Sequence, residues 1–257
     1  MNKNIPPVNE YLYTNLHKLI NLDVLRPFFL VGGTNLALRF KHRISIDIDL
    51  ASENHVSKKD FEKIVKEIES NYPDKKIFPS IRGDNQLYYM VIEIPYKEEN
   101  IEKMLKIDLI GDVPLLYPIE KIQNIPMASI EDIALMKLVA LSDRTSQKDI
   151  YDLDAITDRI PLLKMFNLAK KKSKLLRNEE KSFFESGKTR SIISTPEDLL
   201  TFQNYELDEE LEYIDTSKLW DEAAESWSKK VHELYKQISF NYGTFSYDKK
   251  DDIGYKI

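Results

Sequence analysis

Three features of the chain carry residue types able to handle phosphates and metal ions: the pair Gly32-Gly33, the aspartates Asp47 and Asp49, and the isolated Asp108. Only seven glycines occur in the chain, and these two stand together between an apolar run and a helix expected to open at Thr34. A glycine pair lets the backbone turn tightly and approach a ligand, and the free N–H groups of a following helix form an anion site; a plain tight turn is the simpler alternative. Asp47 follows Gly33 by fourteen residues, within Ser45-Ile46-Asp47-Ile48-Asp49-Leu50. That alternation has the period of a strand, so the two carboxylates project from one face. Aspartate is a poor strand former, and two carboxylates held together repel unless a cation sits between them. Mg²⁺, or Mn²⁺ in its place, suits carboxylate oxygens combined with substrate phosphates. A third ligand is expected from a neighbouring strand, because two-metal phosphoryl chemistry holds ions roughly 4 Å apart. Asp108, alone in Leu105-Lys106-Ile107-Asp108-Leu109-Ile110, is preferred to Asp112, which follows Gly111 where the strand should end.

The elements that must position these residues follow from periodicity. Phe28 to Val31 reads as a strand, a helix passes through Leu36 to Leu38, Ile44 to Leu50 is a second strand, and Ser57 to about Ser70 a second helix. Lys75 to Ile81 and Gln86 to Ile94 read as a hairpin around Arg82-Gly83-Asp84-Asn85, and Lys106 to Ile110 as one more short strand. After Pro126 the pattern becomes helical to about Lys236, with Ile130, Ala134, Leu138 and Leu141 at helical intervals. The expected fold class is α+β: a mixed sheet flanked by helices over residues 1–125, a mostly helical domain over 126–240, and a loosely ordered tail over 241–257.

Composition narrows the setting. At 257 residues, with 42% hydrophobic and 11% aromatic residues, the chain can bury a core. No apolar run approaches the roughly 20 residues that span a bilayer, and residues 1–7 lack the apolar stretch of a signal peptide. The expectation is a cytoplasmic protein with no membrane partner. The chain has no cysteine, which removes disulfides, thiolate nucleophiles and cysteine metal sites. The net charge of −6 hides an asymmetry: nine basic and three acidic residues lie between Lys164 and Arg190, then eleven acidic residues between Glu197 and Glu225 opposed by Lys218 alone. The basic stretch can face nucleic acid, or the two stretches can be solvated helices paired with each other. Neither the four histidines nor any serine has the setting of a metal ligand or an esterase nucleophile.

The run from Leu30 through Arg39, with His42-Arg43-Ile44-Ser45-Ile46-Asp47-Ile48-Asp49-Leu50, closely resembles the first motif of the AbiEii/AbiGii nucleotidyltransferase toxins. These belong to the polymerase-β-like nucleotidyltransferase superfamily and act in abortive phage infection and type IV toxin–antitoxin pairs. Lys137, followed by Arg144 and by Lys148-Asp149-Ile150-Tyr151-Asp152-Leu153, resembles that group's later lysine and K-D-x-x-D-L motifs. The family usually has glycine before the histidine, where this chain has Lys41.

The resemblance implies that Gly32, Gly33, Thr34 and Ser45 cradle nucleotide phosphates and that Asp47 and Asp49 bind Mg²⁺. It implies that Lys137 contacts the triphosphate, with Arg144 and Lys148 also binding the nucleotide, and that Asp149 completes the active site. Read from the residues alone, Lys137, Arg144 and Lys148 align on one face if the helix is continuous, yet Ser146 to Asp149 also reads as a capping box opening a new helix. Asp149 is then a cap or a catalytic group; Asp152 supports the fold, and Tyr151 and Leu153 belong to the core. The expected reaction is nucleotidyl transfer from an NTP to an acceptor hydroxyl, with RNA, such as a tRNA 3′ end, as acceptor and Lys170 to Lys174 tracking its phosphates. A cognate antitoxin is the expected protein partner. Transfer to a small-molecule hydroxyl, and a silent nucleotide-binding module acting through protein partners, are the alternatives.

Overall fold

The structure is a computed structural model, and it describes residues 6–81, 88–143, 146–175, 199–200, 212–214 and 218–242. Helix α1 (Glu10–Ile20), capped by the Asn9 side chain, precedes strand β1 (Phe29–Leu30), helix α2 (Gly32–Phe40) and strand β2 (Asp47–Ala51). Helix α3 (Lys58–Asn71) begins in a capping box between Ser57 and Asp60, within a residue of the span its periodicity predicts. Strands β3 (Lys76–Ile81), β4 (Tyr88–Glu98) and β5 (Ile101–Ile110) form an antiparallel meander. The short strands β6 (Glu120–Ile122) and β7 (Ile125–Met127) follow, then helices α4 (Ile130–Asp143), α5 (Gln147–Thr157), α6 (Leu162–Leu175) and, last among the described residues, α7 (Trp220–Tyr242).

The seven strands form one mixed sheet in the order β3-β4-β5-β2-β1-β7-β6. Alternation divides its side chains between two cores. Ile48, Leu50, Ile107, Leu109, Met90 and Ile92 point to one face, where α1 and α3 cover them through Leu12, Leu16, Phe61 and Ile64. Phe29, Val31 and Ala51 point to the other, joining Ala128 and buried residues of α4 to α7 such as Leu138, Ile150, Met165 and Trp227. Each fully buried aliphatic or aromatic side chain contributes roughly 1.5–3 kcal/mol, so both faces of the sheet's centre are firmly held. Among the described residues the second cover stops at β2. On the same face of β3 and β5, Phe78 and Met104 remain 49% and 43% exposed. Among the described residues the sheet thus has a covered half and an open half on one side, and Asp47 and Asp49 lie on the border.

The structure departs from the pattern reading in several places. Helix α2 starts at Gly32 rather than at Thr34. Strand β5 is ten residues long, not five, because β4 returns into it through Glu99-Asn100 with φ values of 50° and 67°. A second such turn, Gln123-Asn124 at 49° and 64°, joins β6 to β7. Both are two-residue left-handed turns with asparagine second but no glycine, which conceals them from a search for Asn-Gly signals. Helix α4 ends at Asp143 and Ser146 is extended, so Lys137 and Lys148 do not share one continuous helix; Arg144 lies outside the described residues. Ser146 is the N-cap of α5, but its side chain makes no capping hydrogen bond.

Candidate active site

The glycine turn is shaped by the carboxylate beside it. Gly32 has a φ of 68°, a left-handed conformation costly for any other residue, and a Cβ there would stand 1.9 Å from Asp49 Oδ2. The turn is pinned to β2 by Val31 N donating to Asp49 O at 2.9 Å, and the Thr34 hydroxyl donates to the Asp47 carbonyl. Thr34 and Ser45 share a further hydrogen bond between their hydroxyls at 2.8 Å. Gly33 is bare for another reason: a Cβ would meet Arg43 Nη2 at 2.3 Å. Asn35, which sequence reasoning missed, donates to the carbonyls of Leu30 and Ala128 at 2.8 and 3.1 Å and fastens the same turn to β1 and the end of β7.

Parallel pairing of β2 with β5 places Asp49 opposite Asp108 and Asp47 opposite Lys106. Neighbouring strands lie about 4.8 Å apart, so three carboxylates and one ammonium share a small patch of one face. Burial, then the charges of Asp108 and Asp47, push the Asp49 carboxyl up to about 7 against the opposing pull of Lys137 and Lys106. Lys106 Nζ donates to Asp108 Oδ2 at 2.9 Å, while Asp108 Oδ1 is buried without a hydrogen-bond partner. Burial lowers the Lys106 pKa, but its hydrogen bond to Asp108 and the three acidic charges outweigh that and raise it. Asp112 stands apart from this patch, paired with His55 Nδ1 at 2.9 Å.

Behind the patch lies an ionic network that the sequence did not disclose. Lys137, from α4, donates to Asp149 Oδ1 at 2.7 Å and pairs with Asp152 Oδ2 at 2.8 Å. Arg43 donates to both Asp152 oxygens, each at 2.8 Å, and His42 Nε2 meets Asp152 Oδ1 at 2.7 Å. Asp152 is fully buried; burial alone would raise its pKa, yet Arg43 and Lys137 hold it well below the carboxylate range. For Lys137, burial again opposes charge, and the attraction of Asp149 and Asp152 wins and raises the pKa. The Lys137 side chain is only 10% exposed, and its ammonium is shared between two aspartates. Asp149 serves as that lysine's partner. Lys148 sits half-buried in the first turn of α5.

The basic stretch beyond α5 also differs from expectation. Lys172 is buried against Asp132, which also accepts from the backbone of Leu116 and Tyr117 and from Ser129 Oγ. Lys170 lies over the Phe166 ring with Nζ 4.5 Å from its centroid. A run of lysines here is thus partly internal; Arg177, the Lys174 side chain and most of the acidic stretch fall outside the described residues. Backbone pairing of Arg43 with Tyr213, and of Ile44 N with Glu212 O at 2.9 Å, brings part of that distant segment against the loop before β2.

A mixed sheet that carries a glycine turn beside three aspartates, at the edge of its open half, defines the protein's class as a nucleotidyltransferase. A model of the family described as nucleotidyl transferase AbiEii toxin, type IV TA system, matches residues 19–229. The chain belongs to that family. An uncharacterized protein of Aquifex aeolicus is 27% identical over 222 residues, covering 85% of this chain and 93% of that one. Among solved structures, JHP933 from Helicobacter pylori is similar with a TM-score of 0.53 at 20% identity, covering 91% of this chain and 96% of its own. MenT4, a nucleotidyltransferase toxin from Mycobacterium tuberculosis, is similar with a TM-score of 0.56 at 16% identity, covering 88% and 85%. At those identities the likeness to the two structures is one of fold. No helix among the described residues is long and apolar enough to cross a membrane.

Proposed function

We propose that the chain transfers a nucleotidyl group from an NTP to an acceptor hydroxyl on RNA, with a tRNA 3′ end as the leading acceptor. The observation that carries this reading is the pairing of Asp49 with Asp108 across β2 and β5, with Asp47 on the same face beside a glycine turn. Among the described residues no three acidic or histidine side chains are already drawn into a cage. The donors are nevertheless hard oxygens, and one of them, Asp108 Oδ1, is buried with no partner, which fits a divalent ion such as Mg²⁺ or Mn²⁺. Asp47, Asp49 and Asp108 would hold it, and it would neutralise charge at the transferred phosphoryl group and favour the ionised acceptor hydroxyl.

The chain's own residues do the positioning. The turn at Gly32 and Gly33 brings backbone N–H groups at the start of α2 against the carboxylates, where a phosphate chain can be received. Thr34 and Ser45 hold Asp47 at its place on β2 through the hydrogen bonds already described. Lys137 contributes fixed positive charge behind the triphosphate, and Asp149 and Asp152 keep its ammonium from swinging away. The open half of the sheet beside Asp108 leaves room for the acceptor. Membership of a type IV toxin–antitoxin family implies a counterpart antitoxin, and the cytosol, where NTP and RNA meet, as the working compartment.

Incubating the protein with each labelled NTP, Mg²⁺ and total cellular RNA tests the reading. Label should enter RNA with the native chain and not with Asp47→Asn. Label in RNA from both proteins would remove the carboxylates from the mechanism. Label in a small molecule with none in RNA would replace the acceptor.

A further inference from the structure

We propose that Lys106 is a built-in counter-cation that holds Asp108 in the metal-free protein and must release it for a divalent ion to bind. This inference rests on the metal-dependent reading above. It makes Lys106 a positioning residue that sets metal affinity, a role that neither the family motifs nor the sequence pattern indicates.

Lys106 and Asp108 are two residues apart on β5, so their side chains rise from the same face as Asp47 and Asp49. Lys106 rises from that face beside its three acidic groups, and Lys137 acts on Asp49 from behind it. One Asp108 oxygen accepts from the Lys106 ammonium at 2.9 Å while the other is left bare. The lysine thereby occupies one oxygen of the carboxylate and keeps its positive charge beside the bare Oδ1 that an ion would use. An ammonium at Asp108 Oδ2 and a divalent cation at the same carboxylate repel each other, so they compete for it.

The lysine is also built to leave. Its side chain is 42% exposed, against 12% for Asp108, and a flexible four-carbon stem lets the ammonium move into solvent while the carboxylate stays. Once displaced it remains within reach of the same face, where it can pair with phosphate oxygens instead. Metal and NTP then bind cooperatively, since the metal frees the cation that the nucleotide uses.

The test is Mn²⁺ titration of the full-length protein without nucleotide, following free Mn²⁺ by electron paramagnetic resonance. Lys106→Met keeps the apolar stem and removes the charge, and it should bind Mn²⁺ about tenfold more tightly, the equivalent of one pKa unit of charge interaction. Lys106→Arg should stay near the native affinity, and Lys106→Met should lose the cooperativity between Mn²⁺ and NTP. Circular dichroism on both variants confirms that they fold, and Lys106→Gln replaces Lys106→Met if that variant does not. If Lys106→Met binds Mn²⁺ no more tightly than the native chain, which itself binds Mn²⁺ in an Asp47-dependent way, the counter-cation role is overturned while the metal site stands. If the native chain shows no Asp47-dependent Mn²⁺ binding, the metal reading falls and Lys106's role falls with it.

Discussion

Lys137→Ala offers the sharpest test of how the site is supported. The ammonium lies between Asp149 and Asp152, both almost wholly buried, and its own side chain is 10% exposed. Removing one partner of such a pair leaves carboxylates in a medium that solvates them poorly, which typically costs about 3–5 kcal/mol. Asp152 keeps both Arg43 hydrogen bonds and His42, so the lower end, about 3 kcal/mol, is expected. For a chain of this size each kcal/mol moves the midpoint by about 2–4 °C, giving a fall in Tm of roughly 6–12 °C. The assay is thermal unfolding by circular dichroism at pH 8 without nucleotide or metal. Adding Asp149→Asn to Lys137→Ala should restore part of the loss, because a buried charge that has lost its lysine disappears. A Lys137→Ala protein melting within about 2 °C of the native one would refute the buried network and return Lys137 to solvent.

Two further outcomes follow from the geometry at Gly32 and Asp49. The Asp49 carboxyl sits at about 7 in the folded chain against an ordinary value of 3.8, so the folded state binds its proton more readily than the unfolded state. The stability that ionised Asp49 withholds above pH 7 is therefore regained as pH falls through 7 toward 4. Asp49→Asn should be the more stable metal-free protein at pH 8 and should lose most of that advantage by about pH 4; parallel pH profiles would show that Asp49 is not crowded by Asp47 and Asp108. Gly32→Ala forces a side chain into a left-handed φ and onto Asp49 Oδ2, so both Tm and nucleotidyl transfer should fall, the latter on the order of 100-fold if the carboxylate moves by about an ångström. Native activity in folded Gly32→Ala would refute the contact between turn and carboxylate.

Local patterns in the sequence were sufficient for the features that depend on near neighbours. Period-two alternation puts Asp47 and Asp49 on one face whatever the rest of the chain does, and a glycine pair ahead of a helix announces a special turn. The capping box at Ser57 and the helical period after Pro126 are equally local, and the family motifs lie in short contiguous runs. The partners of the charged residues were decided only by tertiary structure. Asp49 meets Asp108 because β5 pairs with β2 from 59 residues away, and nothing in either segment states that register. Lys137 and Lys172 read as cations for phosphates and Asp152 as a support of the fold, but their partners were not legible, since periodicity records where apolar groups recur. They are buried because opposite charges arrive from distant elements, Arg43 reaching Asp152 across 109 residues and Lys172 reaching Asp132 across 40. A charge can leave water only when a partner offsets its desolvation, and long-range chain packing supplies that partner.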